Sequence, residues 1–122
     1  MTFPLSRILS AATAAYGVFA LVKPEHLGSG VKAPLTQRPA FDLMAYVYAA
    51  RDLPVAAVGV FASAPNLVTA AMVMRIISDF SDAAILGTNI EDPEGKKKAL
   101  AATLSWGTLN AVALMIDRRS VR

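Results

Sequence analysis

Polar and apolar residues alternate along this chain in long blocks rather than in short periods. Apolar runs cover 8–22, 41–61, 66–86 and 99–116, with proline, glycine and charged residues gathered between them. A helical block of about 20 apolar residues matches the hydrocarbon thickness of a bilayer. The runs predict four helices, at 5–22, 41–61, 66–86 and 96–116. The first run is short. Leu5 and Ser6 extend it, and Arg7 can snorkel toward a headgroup. A signal peptide is the competing reading, because one Arg precedes the run and Val18-Phe19-Ala20 looks like a small-residue cleavage site. The three apolar segments that follow favour a retained first helix.

The punctuation sets the connections. Residues 23–40 hold Pro24, Gly28, Gly30, Pro34 and Pro39, which predicts a long loop between the first two helices. The lone His26 falls in it and reads as solvated. Ser63-Ala64-Pro65-Asn66 predicts a tight turn, so the second and third helices form an antiparallel hairpin. Asp92-Pro93 has the form of an N-cap followed by proline at the first helical position. Lys96, Lys97 and Lys98 then open the fourth helix, where lipid headgroups suit them better than the helix dipole does. The expected fold is all-α: a single-domain antiparallel bundle of four transmembrane helices with both termini on one side. Arg7, Arg118, Arg119 and Arg122 flank one end, while Lys23, Lys32, Arg38 and the three lysines flank the other. The excess of positive charge on cytoplasmic loops therefore does not choose an orientation.

Charged residues interrupt two of the apolar runs. Arg51 and Asp52 lie in the middle of the second, and Arg75, Asp79 and Asp82 lie within the third. A charge at the bilayer centre costs roughly 2.5 to 3.5 kcal/mol on insertion scales, so it is neutralised in a bundle or lines a site. Spacings of four and three place Arg75, Asp79 and Asp82 on one helix face, with Val73, Ile76, Ile77 and Phe80 on the other. Arg51 can pair with Asp79 or Asp82, and Arg75 with Asp52 or Asp79. Two guanidiniums against three carboxylates leave one carboxylate spare, to be protonated, hydrated or paired with something from outside. Asp52, Asp79 and Asp82 are the candidate catalytic or proton-carrying groups. Tyr46, Tyr48, Trp106 and Asn110 are candidates to line the same space, and Thr103 shares a face with the last two. Pro54 breaks the helical bond to the Ala50 carbonyl, which the Arg51 guanidinium is placed to take over. Gly59 permits close approach of another helix.

Composition narrows the classes. Hydrophobic residues make up 55% and charged residues 17%, against about 25% charged in soluble domains. The shortage of surface-forming side chains points to a lipid-facing exterior. A water-soluble helical bundle is the other reading compatible with the composition. The net charge of +3 comes without a dense basic face, which argues against nucleic acid. The absence of cysteine excludes disulfides, thiolate and dithiol chemistry, iron–sulfur clusters and Cys-type zinc sites. No Gly-rich phosphate loop, His pair or nucleophile triad is present, so no cofactor or metal is expected.

Arg51-Asp52-Leu53 followed by Gly59, then Arg75, Asp79 and Asp82, then Trp106 to Asn110 and a terminal Asp117-Arg118-Arg119, resembles a family of small four-helix integral membrane proteins. Family members are known only as a domain of unknown function. The resemblance runs over about 8–119. The family often has Gly-Asp where this chain has Ser78-Asp79, a change that still allows close packing. It implies fold and membrane location, and no activity. Small multidrug transporters share the size and helix count but carry a membrane-embedded Glu in the first helix, where this chain offers only Ser6, Arg7, Ser10, Thr13 and Tyr16. Three functions are open, in this order of preference. The first is a structural or accessory bundle, with a homodimer or another membrane protein as partner. The second is a cofactor-free enzyme or binding protein for a lipophilic small molecule. The third is a minimal proton-coupled transporter.

Overall fold

Each long helix opens on a proline. A proline in the first turn has no N–H to leave unsatisfied and brings a ready-made helical φ. The computed structural model describes residues 2–121, so Arg122 lies outside the described residues. Helix α1 spans Pro4–Val22, α2 Glu25–Gly30, α3 Arg38–Phe61, α4 Pro65–Asn89 and α5 Pro93–Ser120. Pro4, Pro39, Pro65 and Pro93 occupy the opening turns of the four long helices. No strand occurs among the described residues.

The expected long loop is only partly a loop. It contains α2 and a 3-10 turn, Leu35–Gln37, that runs directly into α3. Gly28 and Gly30, read as helix breakers, lie inside α2. That helix stops instead at Lys32, whose φ of 54° is left-handed. The Lys32 N–H bonds the Ser29 carbonyl at 3.2 Å and the Ala33 N–H bonds the Gly28 carbonyl at 2.9 Å. This is the Schellman pattern, with a lysine where glycine is usual. Lys32 Nζ also donates to Glu94 Oε2 at 2.6 Å, tying the segment to the start of α5. That hydrogen bond holds the ammonium above its ordinary pKa range. Asp92 caps α5 as the sequence predicts, accepting from the Gly95 N–H at 2.8 Å.

The long helices run alternately up and down. α1 packs chiefly along α3, α3 along α4, and α4 along α5, while the seam between α1 and α5 is the thinnest of the ring. Two apolar clusters fill the ends of the bundle. One joins Val31, Ala33, Phe41, Leu86, Ile90 and Ala99 beneath α2. The other joins Phe3, Val68, Met72 and Leu114 at the chain ends. The described termini therefore share one end of the bundle, as four antiparallel passes require. Gly59 sits against Ser10 of α1. A β-carbon there would lie 2.7 Å from the Ser10 Cβ, too close for α1 to keep its place.

Two charged side chains seal that end. Arg7 is buried rather than snorkelling. Its guanidinium donates to the Val60 carbonyl at 2.8 Å and to the Thr2 carbonyl at 2.5 Å, placing a cation on the open carbonyl end of α3. Asp117, expected to end the fourth helix, is only 2% exposed, and α5 continues past it to Ser120. Its carboxylate accepts from the Leu5 N–H at 3.3 Å and the Ser6 N–H at 2.6 Å, so the last helix caps the first.

Three helical segments are long and apolar enough to cross a membrane, Pro4–Val22, Leu35–Phe61 and Pro93–Ser120, containing 18-residue stretches with mean hydropathies of 1.5, 1.3 and 1.5. α4 falls outside that group because every 18-residue stretch of it contains Arg75, Asp79 and Asp82.

Two substitutions test this packing. Gly59→Ala should cost about 1–3 kcal/mol, the usual range for overpacking a tight contact. Asp117→Ala should cost about 1.5–3 kcal/mol, the usual worth of hydrogen bonds to a charged group. It should also raise amide hydrogen exchange at Leu5 and Ser6. Thermal unfolding in detergent and exchange measured by mass spectrometry check both.

Candidate functional site

The interior charges meet. Arg51 projects from α3 and makes a two-pronged contact with Asp82 of α4, with Nη1–Oδ1 at 2.9 Å and Nη2–Oδ2 at 2.7 Å. Its Nε donates to Asp52 Oδ1 at 2.8 Å. Arg75 Nη1 reaches the same Asp52 oxygen at 2.6 Å. Its Nη2 donates to Asp79 Oδ1 at 2.8 Å, with Asp82 Oδ2 further off at 3.9 Å. Asp52 thus bridges both guanidiniums and Asp82 is held in a fork by one. The Arg51 donors all go to carboxylates, so the guanidinium does not take over the Ala50 carbonyl freed by Pro54. Charge-assisted pairs are stronger and more directional than contacts to a neutral carbonyl, which is why they win. The Arg51 guanidinium also lies 4.9 Å from the centre of the Tyr48 ring, within cation–π range.

The spare carboxylate is Asp79. One of its oxygens serves Arg75, while the other, Oδ2, is buried with no hydrogen-bond partner. Arg75 Nε and the Tyr48 hydroxyl are unpartnered in the same way. Asp79 is 4% exposed and Arg75 6%. Unsatisfied groups at that depth each cost about 1–3 kcal/mol, and more when charged. α5 closes over Asp79 at Gly107, where a β-carbon would stand 3.0 Å from the Asp79 Cβ.

These residues form the floor of a cavity of about 560 Å³. That size falls in the range of small-molecule sites, about 300–1,000 Å³. Asp52, Arg75, Asp79, Asp82 and Tyr48 supply the polar surface of that floor. The walls are small and apolar: Ala12, Gly17 and Ala20 of α1, Ala45 and Ala49 of α3, Leu86 of α4, Ala99 and Ala102 of α5. Leu27, Gly30 and Val31 of the α2 segment form the roof. Among the lining residues, Ala12 and Tyr16 of α1 and Lys98 and Ala102 of α5 are exposed, which places the mouth at the seam between these two helices. Trp106 closes the lower edge of the seam, its Nε1–H donating to Thr13 Oγ1 at 3.1 Å. His26 stands at the upper edge and is not free in solvent. Its Nδ1–H donates to the Lys23 carbonyl at 2.6 Å, and its Nε2 accepts from the Tyr16 hydroxyl at 2.6 Å.

The remaining candidates distribute unevenly. Trp106 and Thr103 line the cavity. Asn110, a turn further on, is fully buried and donates to the Trp106 carbonyl at 2.8 Å, outside the cavity wall. Tyr46 is 44% exposed on the outer side of α3. Tyr48 faces inward because two residues turn a helix by about 200°. Tyr16, Gly17, Lys98 and Ala102 carry no sequence signal of a site, since they meet only where α1 and α5 diverge. Among the described residues, no three His, Cys, Asp or Glu side chains converge as metal ligands. No protein-family model matches the chain, and neither a curated protein nor a solved structure matches it.

The network makes opposite predictions for two neighbours one helical turn apart. Arg75→Ala strips the partner from Asp79 and one from Asp52, and should cost about 3–5 kcal/mol, as breaking a buried pair does. Asp79→Asn keeps an oxygen for Arg75 and removes the unbalanced charge, so its thermal midpoint should equal or exceed that of the wild type. Unfolding of the two purified variants in the same detergent checks the contrast.

Proposed function

We propose that this protein is a four-span membrane protein that binds a lipophilic small molecule in the cavity between its helices. The observation that carries the reading is a mostly apolar cavity whose lining residues Tyr48, Arg75 and Asp79 each hold a buried polar atom without a partner. A purely structural charge core has no use for that space, and it would gain by closing it. Large apolar side chains are exposed on every long helix, among them Val18, Val47, Ile77 and Met115, which suits an exterior facing lipid. α4 takes its place as the fourth span because its charges are spent inward, on Arg51 and Asp52 of α3 and on one another. The resemblance to small four-helix membrane proteins agrees with this placement and adds no activity. In a bilayer the seam between α1 and α5 opens sideways to the acyl chains, a path suited to a molecule that partitions into lipid. The Arg/Asp network then has two duties, holding α3 to α4 and presenting a polar floor.

Trp106 is the only tryptophan in the chain and lines the cavity, so its fluorescence reports occupancy. Dodecanol brominated at the tail should quench it saturably in detergent-solubilised protein. Ala102→Phe, placed at the exposed mouth, should abolish the saturable part. Quenching that rises linearly with probe, alike in both proteins, would show bulk partitioning and end the proposal.

A further inference from the structure

We infer that the cavity selects a lipophilic amine, bound as its ammonium cation with the head on Asp79 and the tail among the alanines. The inference rests on the binding reading above and names the ligand's head group.

Charge balance is the first argument. Arg51 and Arg75 bring two positive charges to a floor that holds Asp52, Asp79 and Asp82. One negative charge is left over, in a place where Coulomb interactions are poorly screened. Geometry says where the excess sits. Asp52 accepts from both arginines, and both Asp82 oxygens accept from Arg51. Asp52 Oδ2 and Asp79 Oδ2 both lack a donor among the described residues, and of the two only that of Asp79 is buried, on a residue lining the cavity. An ammonium head brings one positive charge and three N–H donors, so it neutralises the excess and satisfies Asp79 Oδ2 in one contact.

The other unpartnered donor does not reverse the choice. Arg75 Nε would welcome an acceptor, but Arg75 already faces Asp52 and Asp79, with Asp82 at 3.9 Å. An anionic head would enter a net negative floor. Lys98 also lines the cavity, yet it is exposed in the opening turns of α5, at the headgroup end of the seam, where water and salt screen it. The Tyr48 hydroxyl, free to accept, offers the ammonium a second oxygen. The tail needs only the small apolar wall, which places no demand on its exact shape.

The test uses three straight-chain compounds of equal length at neutral pH: dodecylamine, dodecanol and dodecanoate. Each competes with the brominated alcohol for the Trp106 quench in the wild-type protein. Dodecylamine should displace it at about tenfold lower concentration than dodecanol, with dodecanoate weakest. In Asp79→Asn the amine should lose that advantage while dodecanol binds as before. Equal displacement by amine and alcohol in the wild type would overturn the inference. So would dodecanoate as the strongest competitor, which would move the recognition to Arg75 and leave the cavity reading standing. Absence of any saturable quench would instead sink the cavity reading itself. Should Asp79→Asn prove unstable, the wild-type order of the three compounds decides alone.

Discussion

The Arg/Asp network at mid-height is the interaction on which the rest of this structure depends. Among the described residues it is the only strongly directional link between α3 and α4, and it sits between two apolar clusters that have no directional content. Apolar packing of small side chains leaves helices free to slide or rotate at little cost. The fork of Arg51 on Asp82 and the two arginines sharing Asp52 remove that freedom, because a shift of one residue breaks several charge-assisted bonds at once. A buried ion network is an uncertain source of stability but a good source of register. Here it fixes which face of α4 turns inward, and with it the outward face of Val73, Ile77 and Phe80.

The cavity follows from that registration combined with residue size. α1 is drawn onto α3 at Gly59 and α5 onto α4 at Gly107, each where a glycine lets backbones come close. The two pairs are joined along α3 and α4, so the opposite edge of the ring, between α1 and α5, is closed mainly by Trp106 on Thr13 and by the cap of Asp117 on α1. Above Trp106 the facing residues are Ala12, Ala20, Ala99 and Ala102, too short to fill the gap. The space is a product of small side chains on diverging helices.

Much of this was legible in the sequence, for reasons that differ by element. The long helices follow from block hydropathy, and the Asp92 cap from the Asp-Pro pair. The spacing of Arg75, Asp79 and Asp82 revealed a polar face, and counting charges showed that one carboxylate was spare. Which one was spare depends on distances across two helices, and no pattern along one helix encodes that. Residues 23–40 were misread because glycine and proline count as breakers, while here Gly28 and Gly30 sit inside a short helix that ends on a left-handed lysine. Arg7 and Asp117 looked like ordinary flanking charges. Their partners are the backbone ends of other helices, which carry no side-chain signature.

The cap that Asp117 places on α1 spans 111 residues of sequence. It therefore imposes an order on assembly. During synthesis the first helix emerges with its opening N–H groups unserved, and it stays so until the final turn of the last helix has been made. Closing so long a loop is entropically costly on its own, so the contact can form only after the intervening helices have already brought the ends together. A chain stopped short of Asp117 has every element of the cavity and the network and keeps Phe3 beside Leu114, but lacks the carboxylate that caps the opening turn of α1.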